Sequence, residues 1–373
     1  MRIFYAAENS PNPDLASRLW RANLHDSFIQ LGHDVVEFDY DLARVLHHRD
    51  SSREGDGDAA NKSRAALSAE LIRQVRAAHA AKPVTLFFSY FYDVCVEPSA
   101  IDEIKSLGIV TVNWFCNASY QFHLVREISP HYDWCLVPEK FRLLDYEAIG
   151  ARPLYCQEAA NPVVYKPRDV PRDLDVTFVG QCYGDRAENV KYLVEAGIDI
   201  RVWGPRWEFH RQPAPSANPL RRTLGKIKRA VIPPNDSGIV LPSGIVGGVL
   251  TDEEMITVFS RSKINLGFSS CGETHREEER ILQIRLRDFE VPMSGGFYLV
   301  EYMEELEEFF EIDREIACYR SRGELVDKIR FYLKNDAARE AIRRAGHERA
   351  RRDHTWERRF KAGFSQMGLD GRQ

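Results

Sequence analysis

Short apolar runs of β-forming residues alternate with helical segments along this sequence, and the alternation constrains the fold more than any other feature. Residues 3–6 and 35–38 are predicted strands, and the amphipathic segment 19–31 between them is a predicted helix that ends at Gly32. Residues 84–89 form an apolar run dense enough for a central strand buried on both faces. The alternation predicts βαβ units and a parallel sheet.

The alternation stops once and then restarts, which predicts two domains. Residues 161–172 contain three prolines, with Pro153 close by, and show neither a helical nor a strand period. The pattern restarts with a strand at 176–180, a helix at 186–196 and a strand at 200–203. A chain of 373 residues also exceeds the size of one ordinary core. The predicted domains are residues 1–165 and 166–349, and a terminal helix within 350–373 is predicted to pack back on the first domain.

Composition excludes several classes of protein. The 44% hydrophobic and 29% charged content is that of a soluble globular chain, and the formal net charge of -5 argues against a nucleic-acid binder. No apolar run reaches the roughly 18 residues of a membrane span, and the N-terminus turns polar too early for a signal peptide. The seven cysteines are scattered without a C-x-x-C pair, which predicts reduced thiols, no zinc site and a cytoplasmic location.

Three segments outside the alternating pattern have predicted roles of their own. Residues 49–63 are polar and rich in Gly, Asp and Ser, which predicts a surface loop. Residues 201–229 are basic and aromatic, and they form either a solvated excursion or a patch that touches anionic lipid or a polyanionic substrate. Residues 243–250 are rich in glycine just before a predicted helix, where they would shape a flat slot for the edge of a base.

Titratable residues follow several predicted strands of the first half. In open parallel sheets ligands bind beyond the carboxyl ends of the strands, and this rule points to residues 8–9, 90–93, 113–123 and 158–161. Asp93, His123 and Glu158 are the groups there that could remove a proton from an acceptor hydroxyl. The alternative for each of the three is an ordinary loop residue or helix cap.

The loop after the predicted strand 176–180 is a candidate anion site. Gly180 stands where the strand meets the loop, and Arg186 begins the next predicted helix. A glycine there lets backbone amides approach an anion, and the helix N-terminus adds a partial positive charge. The segment lacks the G-x-G-x-x-G fingerprint, so this signal is weak by itself.

The stretch IRLRDFEVPMSGGFYLV combines a helix end with a single glutamate. It is predicted as the last turns of a helix that Gly295 and Gly296 terminate before a short strand. Glu290 has two interpretations: an ion pair with Arg285 or Arg287, which the local sequence favours, or a carboxylate that binds the two adjacent hydroxyls of a ribose.

Five segments after residue 257 resemble a known class of enzyme: FSRSKINLGF, RLRDFEVPMSGGFYLV, EELEEFF, EIACYRSRGELVDKIRFYL and RRAGHERARRDHTWERR. Together they are similar to the C-terminal domain of GT-B glycosyltransferases, and in particular to the spore-maturation-protein-like, group 1 related family. The likeness continues more weakly through YDWCLVPEKFRLLDYEAIGARPLYC, DVTFVGQCYGDR and VWGPRW. It implies an α/β protein of the GT-B fold, in which two Rossmann-like, doubly wound parallel-sheet domains face a central cleft.

The resemblance implies a donor site in the second domain. Glu290 would hold the ribose of a nucleotide sugar, Gly295 and Gly296 would lie near its phosphates, and residues 246–251 would receive the base. The implied donor-binding residues are Gly180, Gln181, Arg186, Gly204, Val246, Arg285, Arg287, Glu290, Gly295 and Gly296. No metal is implied, because preorganised amides and guanidinium groups can stabilise a leaving diphosphate.

The first domain departs from the pattern of the family. Many relatives carry acidic residues after the tryptophan of the strand at 112–115, whereas this chain reads WFCNASYQFH. The catalytic base on the acceptor side therefore stays open among His123, Asp93 and Glu158.

The predicted function is transfer of a sugar from a nucleoside diphosphate sugar to an acceptor hydroxyl, without a metal or other cofactor. The alternatives are a nucleotide-sugar epimerase or hydrolase of the same fold, and a catalytically inactive nucleotide-sugar-binding scaffold that docks partners through residues 201–229. The expected partners are the nucleotide sugar and an acceptor that is a glycan, a lipid-linked glycan, a protein or a small molecule, with no nucleic acid. The expected location is the cytoplasm, with peripheral contact to the inner face of the membrane as an option. Donor base, acceptor, stereochemistry and oligomeric state stay open.

Overall fold

The computed structural model describes residues 1–7, 18–46, 56–212, 238–272, 274–276 and 280–370. These residues form two compact units. Of the described residues, the first unit contains 1–7, 18–46, 56–164 and 352–370, and the second contains those from Tyr165 to Arg351. Residues 8–9, and most of the basic segment 201–229, lie outside the described residues.

The sheet of the first unit has six parallel strands, in the order β2-β1-β3-β4-β5-β6. The strands are β1 Arg2–Ala6, β2 Asp34–Glu37, β3 Leu86–Ser89, β4 Val110–Trp114, β5 Trp134–Val137 and β6 Pro153–Tyr155. The helices are α1 Asp26–Gln30, α2 Ala43–Leu46, α3 Asp56–Ala81, α4 Pro98–Ser106, α5 Ala118–Gln121 and α6 Leu143–Ala148. A π-helical turn, Arg21–His25, leads into α1.

The prediction of a loop over residues 49–63 is wrong from Asp56 onward, because α3 begins at that residue. The segment contains alanines, which favour helix, and an exposed Asp58 that complements the positive helix N-terminus. A strongly helical segment follows it, and extending an existing helix is far less costly than nucleating one. Residues 49–55 lie outside the described part of the chain.

The C-terminal helix α12, Trp356–Gln366, contributes aromatic side chains to the core of the first unit. The ring of Phe360 lies 4.3 Å from that of Phe28, and the ring of Trp356 lies 5.2 Å from that of Trp114. The side chains of Trp356 and Phe360 are both buried. Aromatic pairs at these separations stabilise a core beyond the area that they bury.

The second unit has a five-stranded parallel sheet in the order β11-β10-β9-β7-β8. The strands are β7 Leu174–Val179, β8 Ile200–Trp203, β9 Ser262–Gly267, β10 Tyr298–Glu301 and β11 Ala317–Tyr319. The helices are α7 Arg186–Glu195, α8 Asp252–Arg261, α9 Leu286–Met293, α10 Arg322–Lys334 and α11 Asp336–Asp353. The two parallel sheets confirm the predicted α/β class.

The strand order of the second sheet reverses between β7 and β9, which are hydrogen-bonded neighbours although β8 lies between them in the chain. The chain leaves β7 toward one side of the sheet and leaves β9 toward the other. A crevice forms at such a reversal, beyond the carboxyl ends of the two strands, and it is the usual ligand site of a doubly wound sheet. The carboxyl ends of β7 and β9 are therefore the first place to look for a site in this unit.

Candidate active site

Arg186, at the start of α7, lies buried beside the carboxyl ends of β7 and β9. Its Nη1 donates to the carbonyl oxygen of Gln181 at 2.7 Å, and its Nη2 donates to the hydroxyl of Tyr183 at 2.8 Å and to the carbonyl oxygen of Phe268 at 3.3 Å. Burial lowers the pKa of the guanidinium. Among the described residues no carboxylate forms an ion pair with Arg186. A buried cation that has no ion-paired carboxylate in the part of the chain that the structure describes is suited to bind an anion.

Two more guanidinium groups reach the same edge from the N-terminal end of α9, one from Arg285 just before the helix and one from Arg287 in its first turn. Arg285 donates from Nη2 to the carbonyl oxygen of Ser270 at 2.5 Å, and its guanidinium lies 5.7 Å from the ring of Tyr183. Arg287 points its Nε to the carbonyl oxygen of Val179, the last residue of β7, at 3.4 Å. With Arg186, these two residues form what we name the arginine cluster.

Glu290, on α9, is completely buried beside the arginine cluster. One carboxylate oxygen, Oε2, accepts a hydrogen bond from Nη1 of Arg287, which is the ion pair that the local sequence favours. The other oxygen, Oε1, is buried and has no hydrogen-bond partner among the described residues. A buried carboxylate oxygen without a donor is costly, so a ligand that brings hydroxyl groups would be stabilised here.

Gly180 and Gly204 allow the ends of β7 and β8 to approach closely. The Gly180 amide donates to Trp203 at 2.9 Å and its carbonyl oxygen accepts from the indole of Trp207 at 2.7 Å, so both backbone groups are used within the unit. Gly204 has a φ of 132°, and a Cβ there would lie 2.4 Å from the carbonyl oxygen of Gly180. Only glycine fits at this position.

Gly295 and Gly296 follow the C-terminal end of α9, and Arg285 lies at the opposite end of that helix. Their amides donate to the carbonyl oxygens of Pro292 and Val291, each at 2.9 Å, which closes the last turn of the helix. A Cβ on Gly296 would lie 2.8 Å from Cγ1 of Val291. The structure thus uses both glycines for helix termination and close packing, and the phosphate contact that the resemblance implied for them stays a prediction.

Val246 lies on a segment that runs parallel to β8. The amide of Val202 donates to Ile245 at 2.9 Å, and the amide of Gly247 donates to Val202 at 2.8 Å. A Cβ on Gly247 would lie 2.1 Å from Cδ1 of Trp203, so the segment lies flat on that ring. Because the Val246 side chain is part of the hydrophobic core, only its backbone is suited to contact a base.

Asp93 and His123 occupy neighbouring turns in the first unit. The Asp93 amide donates to Leu124 at 2.7 Å, and the Asp93 carboxylate accepts from the amides of Glu127 and Ile128 at 3.2 and 3.0 Å. Burial raises the pKa of Asp93. His123 is exposed on the short 3-10 turn Phe122–Leu124. Asp93 therefore stabilises the turn beside His123, and a catalytic role for either residue stays a prediction.

Glu158, beyond the end of β6, is buried near a second carboxyl group that the sequence analysis did not select. That group is Glu139, which follows β5 and is 2% exposed. Burial raises the pKa of Glu139 to about 8. Hydrogen bonds from backbone amides, including that of Ser119, act in the opposite direction and lower the pKa. Both carboxyl groups act on the thiol of Cys116, whose pKa is raised first by burial and then by Glu158. Ligands bind beyond the carboxyl ends of parallel strands, and the same rule applied to β5 would have selected Glu139 as a candidate.

The described residues contain no group of three or more His, Cys, Asp and Glu side chains placed to hold a metal ion. Metal independence stays a prediction. Within the same residues, every helix is too short or too polar to span a membrane.

The two units and the site together define a class of protein. Each unit is a parallel sheet covered by helices, and the second unit gathers three guanidinium groups and a buried glutamate at the reversal of its strand order. Two doubly wound parallel-sheet units are the architecture of the GT-B fold that the sequence predicted.

Comparison with known proteins agrees with this class. Residues 186–363 match the model of a family described as glycosyl transferase-like. The comparison with curated proteins gives no match. Among solved structures, sucrose-phosphate synthase from Thermosynechococcus elongatus superposes with a TM-score of 0.60 at 13% identity, covering 100% of this chain and 99% of that one.

Two further solved structures are similar over nearly the whole chain. AviGT4, a glycosyltransferase involved in avilamycin A biosynthesis, has a TM-score of 0.56 at 15% identity, covering 98% of this chain and 96% of that one. Anabaena HepE in complex with UDP-glucose has a TM-score of 0.54 at 9% identity, covering 99% of each chain. The family match and the fold confirm the prediction of a glycosyltransferase with the GT-B fold.

Proposed function

We propose that the protein transfers one sugar from a nucleoside diphosphate sugar, bound by the second unit, to an acceptor hydroxyl bound by the first. The observation that carries this proposal is that Oε1 of Glu290, beside the arginine cluster, is buried and has no hydrogen-bond partner within the described ranges. A nucleoside diphosphate has groups that would bind both the carboxylate and the guanidinium groups. Its ribose has two adjacent hydroxyls for the carboxylate, and its diphosphate has the negative charge that guanidinium groups bind.

The arginine cluster also suits the chemistry of the transfer step. The acceptor oxygen forms a bond to the anomeric carbon of the sugar, and the bond from that carbon to the terminal diphosphate oxygen breaks. The leaving nucleoside diphosphate gains negative charge, which positioned guanidinium groups stabilise. The acceptor proton passes to a base, for which Glu158, Asp93 and His123 are the candidates in the first unit. The charge of the cluster is the reason to propose that no metal is needed.

The comparisons support a nucleotide sugar as donor. The HepE structures are complexes with UDP, with UDP and glucose, and with UDP-glucose. The family match covers α7 and α9, which carry Arg186, Arg287 and Glu290. We also propose a closer kinship with the spore-maturation-protein-like family, because the segments between residues 259 and 359 are similar to that family.

A screen for ligand stabilisation followed by transfer assays tests the proposal. UDP, GDP, dTDP, CMP and their sugars are added in turn while thermal unfolding is followed, because a ligand that binds the folded state raises its stability by mass action. The stabilising donor is then incubated with panels of glycan, lipid-linked, protein and small-molecule acceptors, with and without EDTA.

We expect one nucleotide class to stabilise the protein, and its sugar to be transferred equally well with EDTA present. Rapid and complete turnover of the donor without any acceptor would instead identify a hydrolase or epimerase. Binding without turnover for every acceptor would identify a scaffold. Absence of stabilisation by all of these nucleotides would overturn the proposal.

A further inference from the structure

Asp288, in the first turn of α9, links that helix to the sheet. Its Oδ1 accepts a hydrogen bond from the hydroxyl of Tyr298 on β10 at 2.7 Å, and its Oδ2 accepts from the backbone amide of Arg285 at 2.7 Å. Asp288 and Tyr298 are each 2% exposed. Through Asp288, the two bonds connect the amide of Arg285, the residue just before α9, to a strand in the interior of the unit.

A glycine on the neighbouring strand makes room for this contact. A Cβ on Gly267, the last residue of β9, would lie 2.2 Å from the Tyr298 hydroxyl oxygen. The carbonyl oxygen of the same glycine accepts a hydrogen bond from the hydroxyl of Tyr319, on β11, at 2.9 Å. Tyr298 therefore crosses the end of β9 where a side chain would otherwise stand, and its hydroxyl reaches Asp288 on α9.

The attached turn is the one that supplies two members of the arginine cluster. Arg285 precedes α9 and Arg287 is its second residue, and their guanidinium groups reach Ser270 and Val179. A buried carboxylate is costly, and burial raises the pKa of Asp288 to about 6. An apolar side chain would pack at this position without that cost, but it could not fix the Arg285 amide.

We infer that Asp288 and Tyr298 are positioning residues for binding of the donor diphosphate. They hold the start of α9 in the orientation in which Arg285 and Arg287 face the diphosphate. Neither residue touches the donor. The inference rests on the proposed function, because it assigns a ligand to the arginine cluster.

The test compares two tyrosine variants that lose the same atom. Tyr298→Phe removes the bond to Asp288. Tyr319→Phe removes a buried hydroxyl one strand away that donates to the Gly267 carbonyl oxygen. UDP, GDP and dTDP are each titrated into the full chain by calorimetry, and thermal unfolding is recorded for every variant. The nucleotide that binds the wild type is used throughout.

We expect Tyr298→Phe to weaken nucleotide binding roughly three- to tenfold, as loss of one hydrogen bond would, and Tyr319→Phe to leave it unchanged. Both variants should lower the midpoint of thermal unfolding to a similar extent. Equal affinity in the two variants would overturn the positioning role while leaving the proposed function intact. If the wild type binds none of the three nucleotides, the proposed function fails first.

Asp288→Asn supplies a second, independent variant. The amide oxygen can still accept from Tyr298, but the amide nitrogen cannot accept from the Arg285 amide. We expect this variant to lose nucleotide affinity, and the double variant with Tyr298→Phe to be no worse than Asp288→Asn alone, because the two side chains act as one unit. Additive losses in the double variant would show that the two residues act separately.

Discussion

Glu290 and Arg287 lie one helical turn apart on α9 and form an ion pair through Oε2 of the glutamate, while Oε1 has no hydrogen-bond partner among the described residues. The glutamate is completely buried, whereas the side chain of the arginine is 29% exposed. The ion pair expected from the local sequence is therefore present, and it leaves Oε1 without a donor in the described part of the chain. The two interpretations of Glu290 are compatible.

Replacing Glu290 with alanine should weaken binding of the nucleoside diphosphate by roughly 1 to 3 kcal/mol, the cost of losing a charge-assisted hydrogen bond. Calorimetric titration with the nucleotide that stabilises the wild type measures the effect. Glu253→Ala is the control, because this glutamate also pairs with an arginine, Arg168, but is exposed on α8. Unchanged affinity in the Glu290 variant would contradict the ribose contact.

Arg186→Met should remove the response of the protein to diphosphate. We expect pyrophosphate to raise the midpoint of thermal unfolding of the wild type, because the arginine cluster binds it in the folded state only. The variant should lose most of this increase, since methionine fills the space without the charge. Arg261→Met is the matched control, because Arg261 forms a surface ion pair with Asp173. An undiminished increase in the Arg186 variant would show that the buried guanidinium has only a structural role.

Glu139→Gln should change how stability depends on pH. Burial raises the pKa of Glu139 from 4.5 to about 8, so the folded state holds the proton more tightly than the unfolded chain does. Its stabilising contribution is complete below the unfolded pKa and is lost as the pH rises through the folded pKa.

Glutamine does not titrate, so the stability of the variant relative to the wild type should increase between pH 5 and pH 8.5, by on the order of 3 kcal/mol. Urea unfolding at the two pH values measures this. A difference between the two proteins that does not depend on pH would show that Glu139 has an ordinary pKa in the folded state.

Gly204→Ala should destabilise the second unit by roughly 2 to 4 kcal/mol, because the position combines a left-handed backbone with a close approach to another backbone. The new Cβ would meet the carbonyl oxygen of Gly180 at 2.4 Å. Gly248→Ala is the control, since nothing lies within 4 Å of a Cβ there. Chemical unfolding of both variants distinguishes them, and equal stability would mean that the loop after β8 can shift without cost.

Much of the secondary structure follows from local pattern. The strands Arg2–Ala6 and Ile200–Trp203 lie within one residue of where they are predicted, because each is a short run of β-forming residues between turns. The helix α3 begins earlier than predicted, since its first two turns are polar and resemble a loop in sequence. A helix that continues into a strongly helical segment does not need an apolar stripe in every turn.

The candidate site is less accessible to sequence reasoning, as three residues show. Glu290 is identified by its place between a helix end and a strand. Asp288 stands two residues earlier in the same stretch, yet its role depends on Tyr298, which reaches it from the sheet. Glu139 follows a strand as the selected candidates do, but its raised pKa results from burial, which the local sequence does not reveal.

The sequence by itself determined that this chain forms two parallel α/β units and that a helix ends at Gly295, because strand and helix periods and glycine's backbone freedom are local properties. Only the tertiary structure decided which charged groups meet. Arg287 reaches Val179, 108 positions away in the chain, because β7 and β9 pair where the strand order reverses. Strand order is set by packing between distant segments. The arginine cluster, and the buried oxygen of Glu290 beside it, are therefore properties of the folded unit.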